Sequence, residues 1–113
     1  MIVGIGTDIV EVERIQAAMR NPRFVKRVLT DLERSLNLSP QRIAGRWAAK
    51  EAVAKAVGKS LSWHDVEIVN NAAGAPQVVV APGVLPDRVR IHITISHVRT
   101  HATAVAIVEI GES

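Results

Sequence analysis

The segment SPQRIAGRWAAKEAVAKAVG, residues 39–58, carries the clearest secondary-structure signal in this chain of 113 residues. Ser39 suits the N-cap of a helix, and Pro40 suits the first turn because its missing N–H has no helical partner there. Gly58 is a typical helix end. Apolar side chains between them recur at helical spacing and predict a buried stripe: Ile43, Ala44, Trp47, Ala48 and Ala52. We predict one long helix whose alanines let another backbone come close.

The residues at the start of the chain, Met1 to Val10, predict a β-strand rich in Ile and Val. Gly4 and Gly6 interrupt it, which indicates a bulge or a close approach of another backbone. Asp8 is the only charge in this run. An unpaired buried carboxylate is costly, so we expect a cation, a hydrogen-bond cluster or water beside it.

Two further helices are predicted between this strand and the long helix. Val12, Ile15 and Met19 recur at helical spacing until Asn21-Pro22, and residues 23–27 are interpreted as a basic connection. Thr30 and Glu33 have the spacing of a capping box, which predicts a short helix beginning at Thr30.

The second half of the chain predicts strands. Residues 65–69 and 77–81 predict a hairpin around the turn-rich segment 70–74, and residues 91–95 alternate Ile with polar side chains. Residues 102–110 are apolar on both faces. Such a strand is either covered twice within its own fold or lies where subunits meet, and the sequence leaves both open.

The order of elements predicts an α+β fold, an antiparallel sheet packed against helices, in a single domain over residues 1–113. The chain has no cysteine, no secretory signal pattern and no run of about eighteen apolar residues. We therefore expect a cytoplasmic protein without a membrane partner.

Positive charge is concentrated in one segment. Residues 14–50 contain nine Lys and Arg against two Asp and Glu, a local balance of +7 in a chain with net charge +3. This asymmetry favours an acidic partner. Nucleic acid, anionic lipid, a phosphorylated cofactor and an acidic protein all fit, and the charge alone does not distinguish them. A merely solvated face is the alternative.

Glu51 and Lys55 are four residues apart in the long helix, on one face and next to the predicted apolar stripe. A solvated ion pair would explain them. If Asp8 came close, the two carboxylates would instead form a hard oxygen site of the kind that Mg²⁺ uses, with Lys55 placed for a phosphate. Spacing alone does not decide between these readings.

Three ordered blocks of the chain resemble the holo-acyl-carrier-protein synthase family, the small 4′-phosphopantetheinyl transferases: GIGTDIVEVERI at 4–15, RWAAKEAVAKAVG at 46–58 and ISH at 95–97. The resemblance implies the 4′-phosphopantetheinyl transferase fold. It also implies an enzyme that transfers the phosphopantetheine of coenzyme A to a serine of an acidic apo-acyl carrier protein and releases adenosine 3′,5′-bisphosphate. Mg²⁺ dependence and homotrimers with active sites between subunits are further implications. The resemblance does not select the carrier, which is that of fatty-acid synthesis, of polyketide synthesis or another, either free-standing or embedded.

The resemblance also assigns roles to residues of this chain. It implies that Asp8 and Glu51 bind the metal and that both act in catalysis with Lys55. The implied coenzyme A contacts are Arg46, Lys55, Gly58, Pro76, Ser96 and His97. The implied carrier-docking residues are Arg14, Arg20, Arg23, Phe24 and Arg27.

Two rival functions come from other classes. A basic nucleic-acid-binding module would explain the charge of residues 14–50, but the chain has only one Phe, two Trp and no Tyr for base stacking. A non-catalytic trimeric interaction protein would leave Asp8, Glu51 and Lys55 without a reason. We therefore expect an enzyme and no nucleic-acid partner.

Overall fold

The structure is a computed structural model that describes residues 1–111. Its elements in chain order are β1 (Ile2–Glu11), α1 (Val12–Ala18), α2 (Pro22–Val28), α3 (Asp31–Ser35), α4 (Pro40–Val57), a 3₁₀ turn (Trp63–Asp65), β2 (Val66–Asn70), β3 (Pro76–Val80), β4 (Val89–His97) and β5 (His101–Ile110). Within this range, no helix is long and apolar enough to cross a membrane.

The strands form two antiparallel groups. β1, β5 and β4 make a three-stranded sheet in the order β1-β5-β4, and β2 pairs with β3 as a hairpin. Asp8 lies opposite Ala104 of β5, which in turn lies opposite Ile95 of β4. The predicted α+β class, with an antiparallel sheet packed against helices, is confirmed.

Helix α4 covers one face of the three-stranded sheet and forms the centre of the core. Its bounds follow from the predicted caps: the Ser39 side chain accepts a hydrogen bond from the Arg42 N–H at 3.3 Å, and Gly58 ends the helix at a φ of 79°. Alanines of α4 and β5 are fully or almost fully buried in this core: Ala44, Ala48, Ala52, Ala102, Ala104 and Ala106. The contact between helix and sheet is therefore made largely by small side chains, as the alanine run indicates.

Gly4 and Gly6 allow β1 to approach the backbone of α4. A Cβ atom on Gly4 would lie 1.9 Å from the carbonyl oxygen of Ala56, and one on Gly6 would lie 2.2 Å from that of Ala52. The strand register also shifts between Ile2 and Gly4. Both reasons that the sequence offers for these glycines, a bulge and a close approach, are present.

The connection predicted at residues 23–27 is wrong, because these residues form helix α2. The Asn21 side chain accepts a hydrogen bond from the Arg23 N–H at 3.0 Å, and Pro22 occupies the first turn. An Asn-Pro pair that stops one helix can therefore start the next. The predicted capping box of Thr30 and Glu33 is confirmed at the start of α3.

The other face of the three-stranded sheet, which we call the open face, is not covered by any of residues 1–111. Ile5 and Ile9 of β1 are 69% and 67% exposed there. On β5, Val105 and Ile107 alternate with the buried alanines and are only partly buried. The strand predicted to be apolar on both faces is thus covered on one face alone within the described chain.

Candidate active site

Asp8 has a cation beside it. Lys55 Nζ lies 3.2 Å from Asp8 Oδ1 and donates a second hydrogen bond, at 3.0 Å, to the carbonyl oxygen of Thr7. The Asp8 side chain is 17% exposed, so its charge is largely removed from water. The close approach at Gly6 brings β1 within reach of this helix, since a Cβ there would also lie 3.0 Å from Lys55 Cβ. Of the three kinds of partner expected for Asp8, the structure shows a cation, Lys55.

Glu51 lies one helical turn before Lys55, on the same side of α4. Its side chain is half-buried and lines a small cavity of about 150 Å³ with Leu61, Trp63 and Val66. Residues 1–111 contain no group of three or more His, Cys, Asp or Glu that would form a complete protein cage for a metal. Mg²⁺ does not need one, because it is usually bound by one or two carboxylates together with water and substrate phosphates. Asp8 and Glu51 carry carboxylate oxygens, the kind of ligand that this ion binds.

A larger cleft of about 660 Å³ lies on another part of the molecule. Its lining includes three of the residues implied for coenzyme A: Arg46, Pro76 and His97. Arg42 adds a second cation, and Leu32, Leu36, Leu38, Val69 and Ile95 supply apolar walls. A cleft with apolar walls and two guanidinium groups can bind a molecule that joins a planar ring to phosphates.

The remaining implied coenzyme A residues do not line this cleft. Arg46 and Lys55 are nine positions apart in α4, which places them about 13 Å apart along the axis and on opposite sides of the helix. Gly58 follows the end of α4. Ser96 is exposed and alternates with Ile95 and His97, so it points to the open face. Within one protomer the implied residues do not form one site, because the cleft residues, Lys55 at the junction of β1 and α4, and Ser96 on the open face lie apart.

A buried charge network underlies the cleft, and sequence reasoning did not find it. Glu33 is 0% exposed, and Lys50 and Arg46 are 4% and 6% exposed. Lys50 Nζ lies 2.6 Å from Glu33 Oε1, and Arg46 Nε lies 3.9 Å from Glu33 Oε2. Burial lowers the pKa of both Lys50 and Arg46, because desolvation disfavours the charged form, while the Glu33 carboxylate acts in the opposite direction. One signal pointed to it: Arg46 and Lys50 are four apart on the buried helix, and Arg46 is next to Trp47 of the predicted apolar stripe.

The implied carrier-docking residues lie on α1, the following turn and α2. The four arginines among them are exposed: Arg14, Arg20, Arg23 and Arg27. Phe24 is different, because it is 8% exposed and its ring stacks on Trp47 at a centroid distance of 5.7 Å. The Arg27 guanidinium lies 5.9 Å from the centroid of the Phe24 ring. Phe24 therefore supports the basic surface from within.

Comparison with known proteins identifies the class of protein that this fold and site define. The family model of the 4′-phosphopantetheinyl transferase superfamily matches residues 4–108, and the chain belongs to that superfamily. Its curated relatives are holo-[acyl-carrier-protein] synthases, so the chain is an enzyme of that class.

Two relatives and one solved structure illustrate the similarity. The chain is 48% identical to the holo-[acyl-carrier-protein] synthase of Geobacillus sp. (strain WCH70), over 96% of this chain and 98% of the relative. It is 46% identical to that of Shouchella clausii (strain KSM-K16), over 96% and 99%. The crystal structure of a holo-(acyl-carrier-protein) synthase from Bacillus anthracis str. Ames in complex with CoA (3′,5′-ADP) matches with a TM-score of 0.87 and 36% identity, over 98% of this chain and 99% of that one.

Proposed function

We propose that this enzyme transfers the 4′-phosphopantetheine of coenzyme A to a serine of an acidic apo-acyl carrier protein in a reaction that depends on Mg²⁺. The products are holo-acyl carrier protein and adenosine 3′,5′-bisphosphate. The observation that carries the proposal is the ion pair between Asp8 and Lys55, with Glu51 one turn away on the same side of α4. Together these residues offer carboxylates to a hard cation and an ammonium group to a phosphate.

The reaction forms a bond from the serine oxygen to the phosphorus of phosphopantetheine and breaks the bridging P–O bond to the nucleotide. Lys55 neutralises charge on the departing phosphate, which is where electrostatic stabilisation of a phosphoryl transfer is most effective. Glu51 accepts the serine proton, directly or through a water molecule. Asp8 and Glu51 would hold Mg²⁺, which when bound supplies further stabilisation of the diphosphate charge.

The arrangement supports a site shared between copies of the chain. The implied cleft residues are Arg46, Pro76 and His97, and the proposed catalytic residues are Asp8, Glu51 and Lys55. Arg46 and Lys55 lie on opposite sides of α4. A single coenzyme A would reach both sets if they came from neighbouring protomers. The open face supplies an apolar surface for such an assembly, with Ile5 and Ile9 exposed on it. These features support the homotrimer that the resemblance implies, with Ser96 on the face where copies would meet.

The exposed arginines of α1 and α2 support docking of an acidic carrier protein. Complementary charge mainly raises the rate of association, and its effect weakens as salt is added. The Arg27 guanidinium packs over the ring of the buried Phe24. The docking surface would thus be fixed in place before the carrier arrives.

The test of the reaction is incubation with coenzyme A, Mg²⁺ and an apo-acyl carrier protein, followed by mass spectrometry of the carrier. The expected result is one phosphopantetheine adduct on a serine, formed only when Mg²⁺ is present. A carrier that stays unmodified while the enzyme is folded and coenzyme A is bound would contradict the proposal.

The carboxylates are tested by Asp8→Asn and Glu51→Gln, each measured over a series of Mg²⁺ concentrations. Both variants should need more Mg²⁺ for half-maximal turnover, and kcat should fall by roughly a hundredfold, as expected when a group that stabilises the transition state is lost. The matched control is Asp87→Asn, which removes one carboxylate at an exposed position just before β4. Wild-type turnover by Asp8→Asn at limiting Mg²⁺ would exclude the metal assignment.

A further inference from the structure

Arg46 is both buried and directed to the cleft. It is 6% exposed and lines the cavity, and its Nε atom is buried without a hydrogen-bond partner among residues 1–111. Its Nη2 atom donates to Asn70 Oδ1 at 3.1 Å, at the end of β2. A buried donor left unpaired is costly in a folded protein, so we expect an acceptor or an opposite charge near this N–H group.

Glu33 lies beneath Arg46, and its carboxylate is already occupied. Oε1 accepts hydrogen bonds from the Thr30 N–H at 2.9 Å and from Lys50 Nζ at 2.6 Å. Oε2 accepts one from the Ile68 N–H at 3.0 Å. Arg46 Nε is left with a longer contact of 3.9 Å to the same oxygen. The carboxylate is near enough to attract the guanidinium but does not form a direct hydrogen bond to Nε.

Lys50 keeps the carboxylate in this arrangement. Besides Glu33, Lys50 Nζ donates to the carbonyl oxygens of Val28 at 2.7 Å and Trp63 at 3.0 Å, so all three of its N–H bonds are used. Without this competitor, Glu33 and Arg46 could close into the two-point ion pair that arginine and carboxylate favour. The guanidinium would then turn from the cleft toward the core.

Two carboxylates act on the buried Lys50, those of Glu33 and the half-buried Glu67. Arg46 has only its longer contact with Glu33, and it lines the cleft beside the exposed Arg42. An anion bound in the cleft would supply an opposite charge beside both guanidinium groups.

We propose that Glu33 and Lys50 are positioning residues for nucleotide binding: with Asn70 at the rim, they fix Arg46 so that its guanidinium faces the cleft and binds a phosphate group of coenzyme A. The inference rests on the proposed function and adds residues that touch neither substrate nor metal. Lys50 is the neighbour of Glu51 in α4, and both side chains line the small cavity beside Trp63.

The experiment measures the binding of adenosine 3′,5′-bisphosphate to the full-length enzyme by calorimetry. Glu33→Gln should raise the dissociation constant about tenfold, within the range of coupling between residues in contact. In an Arg46→Met background the same Glu33→Gln change should have less than about a twofold effect, because the arginine through which it acts is gone. The matched control is Asp31→Asn, which removes the same charge from the same helix at a side chain that is 95% exposed, and it should leave affinity unchanged.

Asn70→Ala is a second variant, because Asn70 is exposed and its loss does not threaten the core if Glu33→Gln fails to fold. It should weaken binding severalfold in the wild type and have no effect in the Arg46→Met background. Equal effects of Glu33→Gln or Asn70→Ala in both backgrounds, or wild-type affinity in the folded variants, would overturn the inference while the proposed function stands. Failure of the wild-type enzyme to bind the nucleotide at all would overturn both.

Discussion

Gly6 shows how a single residue determines the geometry of the candidate site. A Cβ at this position would overlap the backbone of α4, at Ala52 O and at Ala56 N, at 2.2 and 2.7 Å. Two positions later, the same strand places Asp8 within 3.2 Å of Lys55. The glycine pattern in the sequence predicts a close approach but does not name the opposing element, because the partner is about fifty positions away in the chain.

Gly6→Ala is expected to destabilise the protein by roughly 1–3 kcal/mol, the usual cost of overpacking a tight contact. It should also lower kcat, because β1 must move away from α4 and take Asp8 with it. Chemical denaturation and turnover at saturating Mg²⁺ measure the two effects. Gly111→Ala is the control, since a Cβ there would make ordinary contacts, the nearest at 3.6 Å. Equal stability of Gly6→Ala and the wild type would show that the helix and strand are not in tight contact.

Glu33 and Lys50 show where prediction from the residue pattern fails. Glu33 was predicted correctly as the second member of a capping box, yet its side chain also neutralises a lysine seventeen positions away. A prediction from periodicity assigns charged residues to the solvent-exposed face. The folded structure is needed to show which of them are buried in pairs.

At the scale of elements, the helices with strong terminal signals were predicted well. Ser39, Pro40 and Gly58 mark both ends of α4, and the bounds agree with the structure. Helix α2 was missed because Asn21-Pro22 was interpreted only as a stop and the segment that follows is short and basic. Its apolar residues, Phe24 and Val28, are four apart and both buried, which is the signal that would have identified it.

The recognition of α2 as a helix gives the docking proposal a sharper test. Arg23→Glu should raise KM for the carrier protein by roughly tenfold and leave KM for coenzyme A within about twofold, because reversed charge mainly slows association with an acidic partner. The difference between variant and wild type should shrink as ionic strength rises. Steady-state kinetics at two salt concentrations measure both.

Arg88→Glu is the matched control for that experiment, because it makes the same charge change at an exposed position just before β4. If Arg23→Glu and Arg88→Glu raise the carrier KM equally, net charge rather than α2 is responsible. If Arg23→Glu raises KM for coenzyme A as much as for the carrier, the docking model is wrong.

At the scale of the whole molecule, the open face is the feature that a single chain does not explain. The sequence predicted β5 to be apolar on both faces but left open whether the second cover is internal or a subunit. In the described chain α4 covers one face, and β1 exposes Ile5 and Ile9 on the other. The periodicity of one chain shows which strand faces are apolar, but it does not show whether another subunit covers them.

Ile5→Asp is expected to convert the proposed trimer into monomers, because a charge in an apolar interface cannot be buried without a partner. Sedimentation of the wild type should give three times the monomer mass, and the variant the monomer mass with the same circular dichroism. Turnover should fall with the loss of assembly, since the cleft residues and the proposed catalytic residues would no longer meet. Val79→Asp, at a 48% exposed position on the β2-β3 hairpin, is the control. A monomeric wild type with full turnover would contradict the shared site.

The alanine contact between α4 and β5 has a consequence for how the enzyme works. Alanine has no side-chain rotamers, so burying it costs no side-chain conformational entropy and leaves no alternative packing for the contact to adopt. The distance from helix to sheet is therefore set by the backbones and does not vary with side-chain rearrangement. The backbone positions from which Lys55, Glu51 and Asp8 project would therefore be formed before substrates arrive, so the proposed reaction would need no movement of helix against sheet.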